Sequence, residues 1–103
     1  MYSELLPLGS VVDIEGAQGV LVVGRVASKA GEDKVYDYIG VPYPEGLGDT
    51  DEMLFFDQDD IDSIDFIGCK NNIEMDFREN VLEKLDEIAP LTVKNGQIVS
   101  AKA

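Results

Sequence analysis

The sequence predicts an α+β fold: a small, curled, mostly antiparallel sheet or partial barrel of about five strands, packed by one C-terminal amphipathic helix, with a possible terminal hairpin. Three observations predict it. Apolar residues alternate or run in short stretches through the first two thirds, the period lengthens to that of a helix between Ile73 and Ile88, and an Asn-Gly pair separates two β-prone runs near the end. At 103 residues the chain has the size of one ordinary domain, read as a single α+β unit over 1–90 followed by a hairpin or mobile tail over 91–103.

Each element has its own signal. Leu5-Leu6-Pro7-Leu8-Gly9 reads as an extended lead-in, and Ser10 to Glu15 alternates well enough to be a strand closed by Gly16 and Gly19. Val20 to Ala27 is nearly continuous in apolar residues apart from Gly24 and Arg25, as a central strand would be. The polar cluster Lys29 to Lys34 turns the chain, and Val35 to Val41 returns as a hairpin partner rich in β-branched and aromatic residues. Pro42 and Pro44 end that strand, and a loop runs to Glu52 before the short apolar stretch Met53 to Phe56. Asp57 to Asp60 resembles a tight helical turn, and Ser63 to Ile67 a last strand with Ile64 and Phe66 on one face. Glycines at 9, 24, 40 and 68 are expected where strands begin, bend or end.

The final third is helical by its spacing. Ile73, Phe77, Val81, Leu85 and Ile88 recur at intervals of four, four, four and three, with Glu74, Arg78, Glu79, Glu83, Lys84 and Glu87 left for the remaining surface. Asn71 is the expected N-cap, with Glu74 three residues on, and Pro90 cannot continue the helix. The apolar stripe is assigned to the core, with a partner-facing helix as the alternative. Asn95-Gly96 then fits a two-residue hairpin turn, which must pack on the body or remain mobile.

Charge is the main functional signal. Between Val35 and Cys69 lie ten acidic residues (Asp37, Glu45, Asp49, Asp51, Glu52, Asp57, Asp59, Asp60, Asp62 and Asp65) and no Lys or Arg, which supplies most of a net charge of −13. So dense a block either keeps a small protein in solution or faces a basic partner. Nucleic acid is disfavoured as that partner, because phosphate recognition needs clustered cations. No segment approaches the ~20 unbroken apolar residues of a membrane span, and the first residues lack the pattern of a signal peptide, so a cytoplasmic protein is expected. Cys69 is alone and can form no internal disulfide.

The residue types argue against catalysis. There is no His, the commonest general base and zinc ligand, and the many acids include no pair set apart by an apolar environment. Their spacings also fail as a calcium loop, since the glycine at the sixth position is missing in both registers. No cofactor, metal or catalytic residue is therefore expected. Arg25 within an apolar run calls for a carboxylate such as Asp37 or Asp60 if buried, or else faces solvent from a strand. Tyr36, Tyr38 and Tyr43 are available to the core or to a partner.

Leu6-Pro7-Leu8-Gly9-Ser10-Val11-Val12, Gly24-Arg25, Asp37-Tyr38-Ile39-Gly40, Tyr43-Pro44-Glu45-Gly46, Phe55-Phe56 and Asp60-Ile61 leading into Phe66-Ile67-Gly68 follow one another along the chain. This series resembles a family of small uncharacterised proteins of Gram-positive bacteria that accompany type VII secretion systems. The likeness covers about residues 5 to 79, and the hairpin after Pro90 lies outside it. The resemblance implies an accessory role beside LXG-domain polymorphic toxins, their immunity proteins and small helical targeting factors. The expectation is a non-enzymatic chaperone or adaptor for a cognate LXG toxin, with an immunity protein as the alternative and a subunit of the secretion machinery as a third reading. A basic toxin surface would meet Tyr43, Glu45, Asp49, Asp51, Glu52, Phe55, Phe56, Asp57, Asp59, Asp60 and Asp62, the acids giving selectivity and the aromatics anchor area.

Overall fold

The computed structural model describes residues 1–49 and 53–101. Its elements are a 3₁₀ turn at Tyr2–Glu4, strands β1 (Val11–Ile14), β2 (Ala17–Ser28), β3 (Val35–Pro42) and β4 (Leu54–Phe56), a 3₁₀ turn at Gln58–Asp60, and strand β5 (Ile61–Phe66). One continuous helix then spans 72–88, built of α1 (Asn72–Phe77), a π-helical stretch at Arg78–Leu82, and α2 (Glu83–Ile88). A hairpin of β6 (Leu91–Lys94) and β7 (Gln97–Ser100) follows.

The main sheet is antiparallel, in the order β4-β3-β2-β1-β5, so strands consecutive in sequence, β4 and β5, lie at opposite edges. A flat sheet would hold those edges about 19 Å apart, at ~4.8 Å per strand. Residues 57–60, most of them in a 3₁₀ turn rising only ~2 Å per residue, cannot cover that distance. The sheet therefore curls toward closure without closing. Register breaks in β2 between Val22 and Gly24, and where β1 pairs β2 and β5, with the extra residues in β2 and at Asp62 and Asp65 of β5, supply the bends. Gly24 thus sits at a bend as expected. Gly40 instead lies inside β3, where a Cβ would stand 2.3 Å from Val20 Cγ1, so the strand needs a glycine for close approach rather than for an end.

The concave face holds the core: Val12, Val20, Val22, Tyr38 and Phe56 from the sheet, Tyr2 and Leu5 from the N-terminal segment, and Leu82 from the helix. Tyr38 and Phe56 stack with ring centroids 5.3 Å apart. The Tyr38 hydroxyl accepts from Leu6 N at 2.8 Å and donates to Gln58 Oε1, so this buried phenol ties the lead-in to the 3₁₀ turn. Asp86 accepts from the backbone N–H groups of Tyr2 and Ser3, and Arg78 donates to the carbonyls of Ser3 and Leu5, which pins the N-terminal segment between helix and sheet.

Asn71 caps the helix by accepting from Glu74 N at 2.9 Å. The helix presents a different face from the one its apolar spacing suggests. Ile73 is 78% exposed, and Phe77, Val81 and Ile88 are each at least 40% exposed, while Glu74, Arg78 and Leu82 turn inward. Only Leu85 of the apolar stripe packs against the core. The physical reason is Arg25, whose guanidinium is buried under the helix and needs a carboxylate. Glu74 supplies it, not Asp37 or Asp60, in a two-pronged pair at 2.7 and 2.9 Å, and also accepts from Arg78. The Phe77 ring lies 5.2 Å from the same guanidinium.

The terminal hairpin turns at Asn95 and Gly96, both with positive φ as a two-residue primed turn requires. Leu91 packs against the core, and Ser100 Oγ donates to Ile88 O, so the hairpin is seated on the body.

Candidate functional site

The acidic run is divided by the fold into a structural part and an exposed part. Asp57 and Asp60 form a reciprocal cap of the 3₁₀ turn, with Asp57 N donating to Asp60 Oδ2 at 2.9 Å. Asp57 also accepts from Asp37 N at 3.0 Å and pairs with Lys34 at 2.9 Å. Asp37 in turn accepts from Gln58 N, and burial pushes its carboxyl above the usual range, with Asp57 and Asp59 adding repulsion. These groups hold the chain where it crosses from one sheet edge to the other.

Phe56 is a correction. Only 2% exposed and stacked on Tyr38, it is a core residue and offers no anchor area to a partner. Phe55 is half-buried against Tyr36, with centroids 5.6 Å apart. Asp51 and Glu52 lie outside the described residues. Tyr43, Glu45, Asp49, Asp59 and Asp62 are exposed, as the docking expectation required.

Tyr43 lies in an unexpected setting. It borders an open groove of about 450 Å³ whose other walls are Gly9, Val11, Leu21, Asp65 and Phe66. Phe66 is 60% exposed and Tyr43 51%, and Ile64 and Ile67 beside them are also open. Phe66 was missed as a surface candidate because an alternating strand reads as half-buried, whereas β5 is an edge with five of its six residues exposed. The helix row Ile73, Phe77 and Val81, assigned to the core with a partner-facing helix as the alternative, is exposed.

Chemically, the surface offers carboxylates, aromatic rings and strand backbone. Among the described residues no three Cys, Asp or Glu side chains come together as a metal site, and Cys69 is exposed and free. No helix is long and apolar enough to cross a membrane.

Fold and surface together define a small acidic α+β domain whose exposed carboxylates border exposed apolar side chains on one sheet edge. The chain belongs to the family described as Domain of unknown function (DUF4176), whose model matches residues 5–77, from the lead-in to the end of α1. No curated protein and no solved structure matches it.

Proposed function

We propose that this chain is a non-enzymatic, protein-binding accessory factor of a type VII secretion system, a cytoplasmic chaperone or adaptor that engages a cognate LXG toxin through its acidic surface. The secretion context rests on the family resemblance of residues 5 to 79. The binding mode rests on one structural observation: an exposed carboxylate, Asp65, borders the apolar groove between Tyr43 and Phe66. Such a border suits a basic partner, because exposed charge sets association rate and selectivity while buried aromatic area supplies affinity.

The test is a pull-down with a cognate LXG toxin divided into its LXG and toxin domains, at low and moderate salt. Capture of the LXG domain supports an export adaptor, and capture of the toxin domain supports immunity, which rescue of toxin-expressing cells by this protein alone would establish. Asp59, Asp62 and Asp65 are the acids to replace with Asn, since Asp57 and Asp60 hold the turn. The triple variant should bind more weakly and with a flatter salt dependence; unchanged affinity rejects the electrostatic mode.

A further inference from the structure

We infer that the groove between Tyr43 and Phe66 receives an arginine side chain of a partner protein, its guanidinium resting on the two rings and on Asp65. This rests on the reading of the chain as a protein-binding factor and names the side chain that docks. Residues directly paired across an antiparallel sheet share a face. Phe66 pairs with Val11, Val11 with Leu21, and Leu21 with Val41, so one apolar row crosses four strands. Val12 and Val20, each one residue away along its strand, face the core together with Leu82 of the helix. The row through Val11 therefore lies on the opposite, convex face. Val11 and Val41 are only 8% and 3% exposed, yet neither belongs to the core under the helix. The sheet is apolar on both faces, and the helix packs on one of them.

A bulge builds the site. Val11 and Val12 are adjacent in β1, but their partners in β5 are Phe66 and Ile64, so Asp65 is an extra residue in the ladder. Bulges re-aim side chains, and here two consecutive residues, Asp65 and Phe66, line one groove, which strict alternation would forbid. Both walls are tied to the body. Tyr43 N donates to Gly19 O at 2.8 Å, and a Cβ at Gly19 would stand 2.7 Å from Tyr43 O, so glycine is what lets the strands approach there. Gly68 N, two residues beyond Phe66, donates to Ser10 Oγ at 2.9 Å. A groove held open in this way loses little on binding.

The lining selects the occupant. It offers an apolar floor, two exposed rings and one exposed carboxylate that forms no ion pair among the described residues. An apolar side chain of a partner would bury Asp65 without a counter-charge, and an acidic one would be repelled. Lysine carries a compact, strongly hydrated charge that is costly to bring against rings. Arginine is planar and weakly hydrated, stacks on aromatic faces, and keeps N–H groups free for a carboxylate, while its stem suits Val11 and Leu21. A second copy of this chain cannot supply it. The two arginines of the sequence, Arg25 and Arg78, are both buried against Glu74.

The experiment titrates the full chain, labelled with ¹⁵N and ¹³C, with the acetylated and amidated peptide Ser-Val-Arg-Val-Ser, and with versions carrying citrulline, norleucine or lysine at the centre. Citrulline keeps the shape of arginine and removes its charge. The arginine peptide should shift the methyl signals of Val11 and Leu21 and the ring signals of Tyr43 and Phe66 saturably, and its own arginine methylene protons should move upfield under the rings. It should bind about fivefold or more tighter than the citrulline and norleucine peptides, with lysine in between. Asp65→Asn should abolish the preference for arginine over citrulline, and Phe66→Leu should weaken the arginine peptide about threefold. Asp59→Asn, on the 3₁₀ turn, should change neither. Absence of saturable shifts at the groove overturns the inference, as does citrulline or lysine binding as well as arginine, or an equal effect of Asp59→Asn and Asp65→Asn. The two readings fail separately. Toxin capture that survives Asp65→Asn and Phe66→Leu unweakened removes the groove and leaves the partner-binding reading, whereas a filled groove with neither toxin half captured leaves the groove and removes the toxin.

Discussion

Replacing Glu74 by Gln tests how helix and sheet are held together. The three side chains of the Arg25–Glu74–Arg78 cluster are 5%, 10% and 12% exposed, and the carboxylate receives charged donors at 2.6, 2.7 and 2.9 Å. Glutamine keeps the shape and an acceptor oxygen but removes the only negative charge within the cluster. Two guanidiniums are then left buried side by side, and losing one partner of a buried pair costs about 3–5 kcal/mol. The retained acceptor argues for the lower end, about 3 kcal/mol. For a domain of this size that corresponds to a fall in Tm of roughly 12–24 °C. The loss also depends on pH. Hydrogen bonding from Arg25 first, and then from Arg78, holds the Glu74 carboxyl below its ordinary range. A depressed folded value stabilises fully above the unfolded value and is lost as pH falls through the folded one, so the gap between wild type and variant should narrow in acid. Thermal unfolding followed by circular dichroism from pH 7 to pH 3 measures both effects, and a cycle with Arg25→Met isolates the pair. A Glu74→Gln protein melting within a few degrees of wild type at pH 7 would refute the account of how the helix is docked.

Two other substitutions probe different parts of the fold. Gly68→Ala would place a Cβ 2.1 Å from Leu8 O and 2.9 Å from Ser10 N, both backbone atoms, so at least ~3 kcal/mol should be lost in urea titration, the upper end for overpacking. Asp37→Asn should stabilise the protein at pH 7 by a few tenths of a kcal/mol, because the amide oxygen can still accept from Gln58 N while burial no longer opposes a charge. Its raised folded pKa means that the wild-type carboxyl is best tolerated when protonated and costs stability as pH rises through that value, so the gain seen in Tm should vanish near pH 3.

Much of this architecture is legible in local sequence pattern. The β2–β3 hairpin, the 3₁₀ turn after Asp57, the Asn71 cap and the Asn95-Gly96 turn each follow from a few adjacent residues. Features that depend on distant groups are not. Two adjacent rows run along the helix, one through Ile73, Phe77 and Val81 and one through Glu74, Arg78 and Leu82, and both have the same period. Periodicity fixes that a helix forms but not its phase, which here is set by a guanidinium 49 residues away on β2. The acids show the same limit. Asp57 and Asp62 look alike in sequence, yet one is held by Lys34 and Asp37 N while the other stands on a free edge, because the sheet order places β4 and β5 at opposite sides.

That sheet order also explains why an acidic surface and an apolar one coincide. A curled sheet that does not close must leave an edge, and an edge bearing Ile64 and Phe66 is a hazard for self-association unless something repels a second copy. Covering it with the helix would remove the hazard, but the helix is committed to Arg25 and the N-terminal segment through Glu74, Arg78 and Asp86. Register breaks and charge are the remaining devices, and they coincide, because the ladder with β1 skips Asp62 and Asp65. Both acids stand where the strand departs from regular pairing, so a second copy would meet an interrupted ladder and exposed carboxylates together.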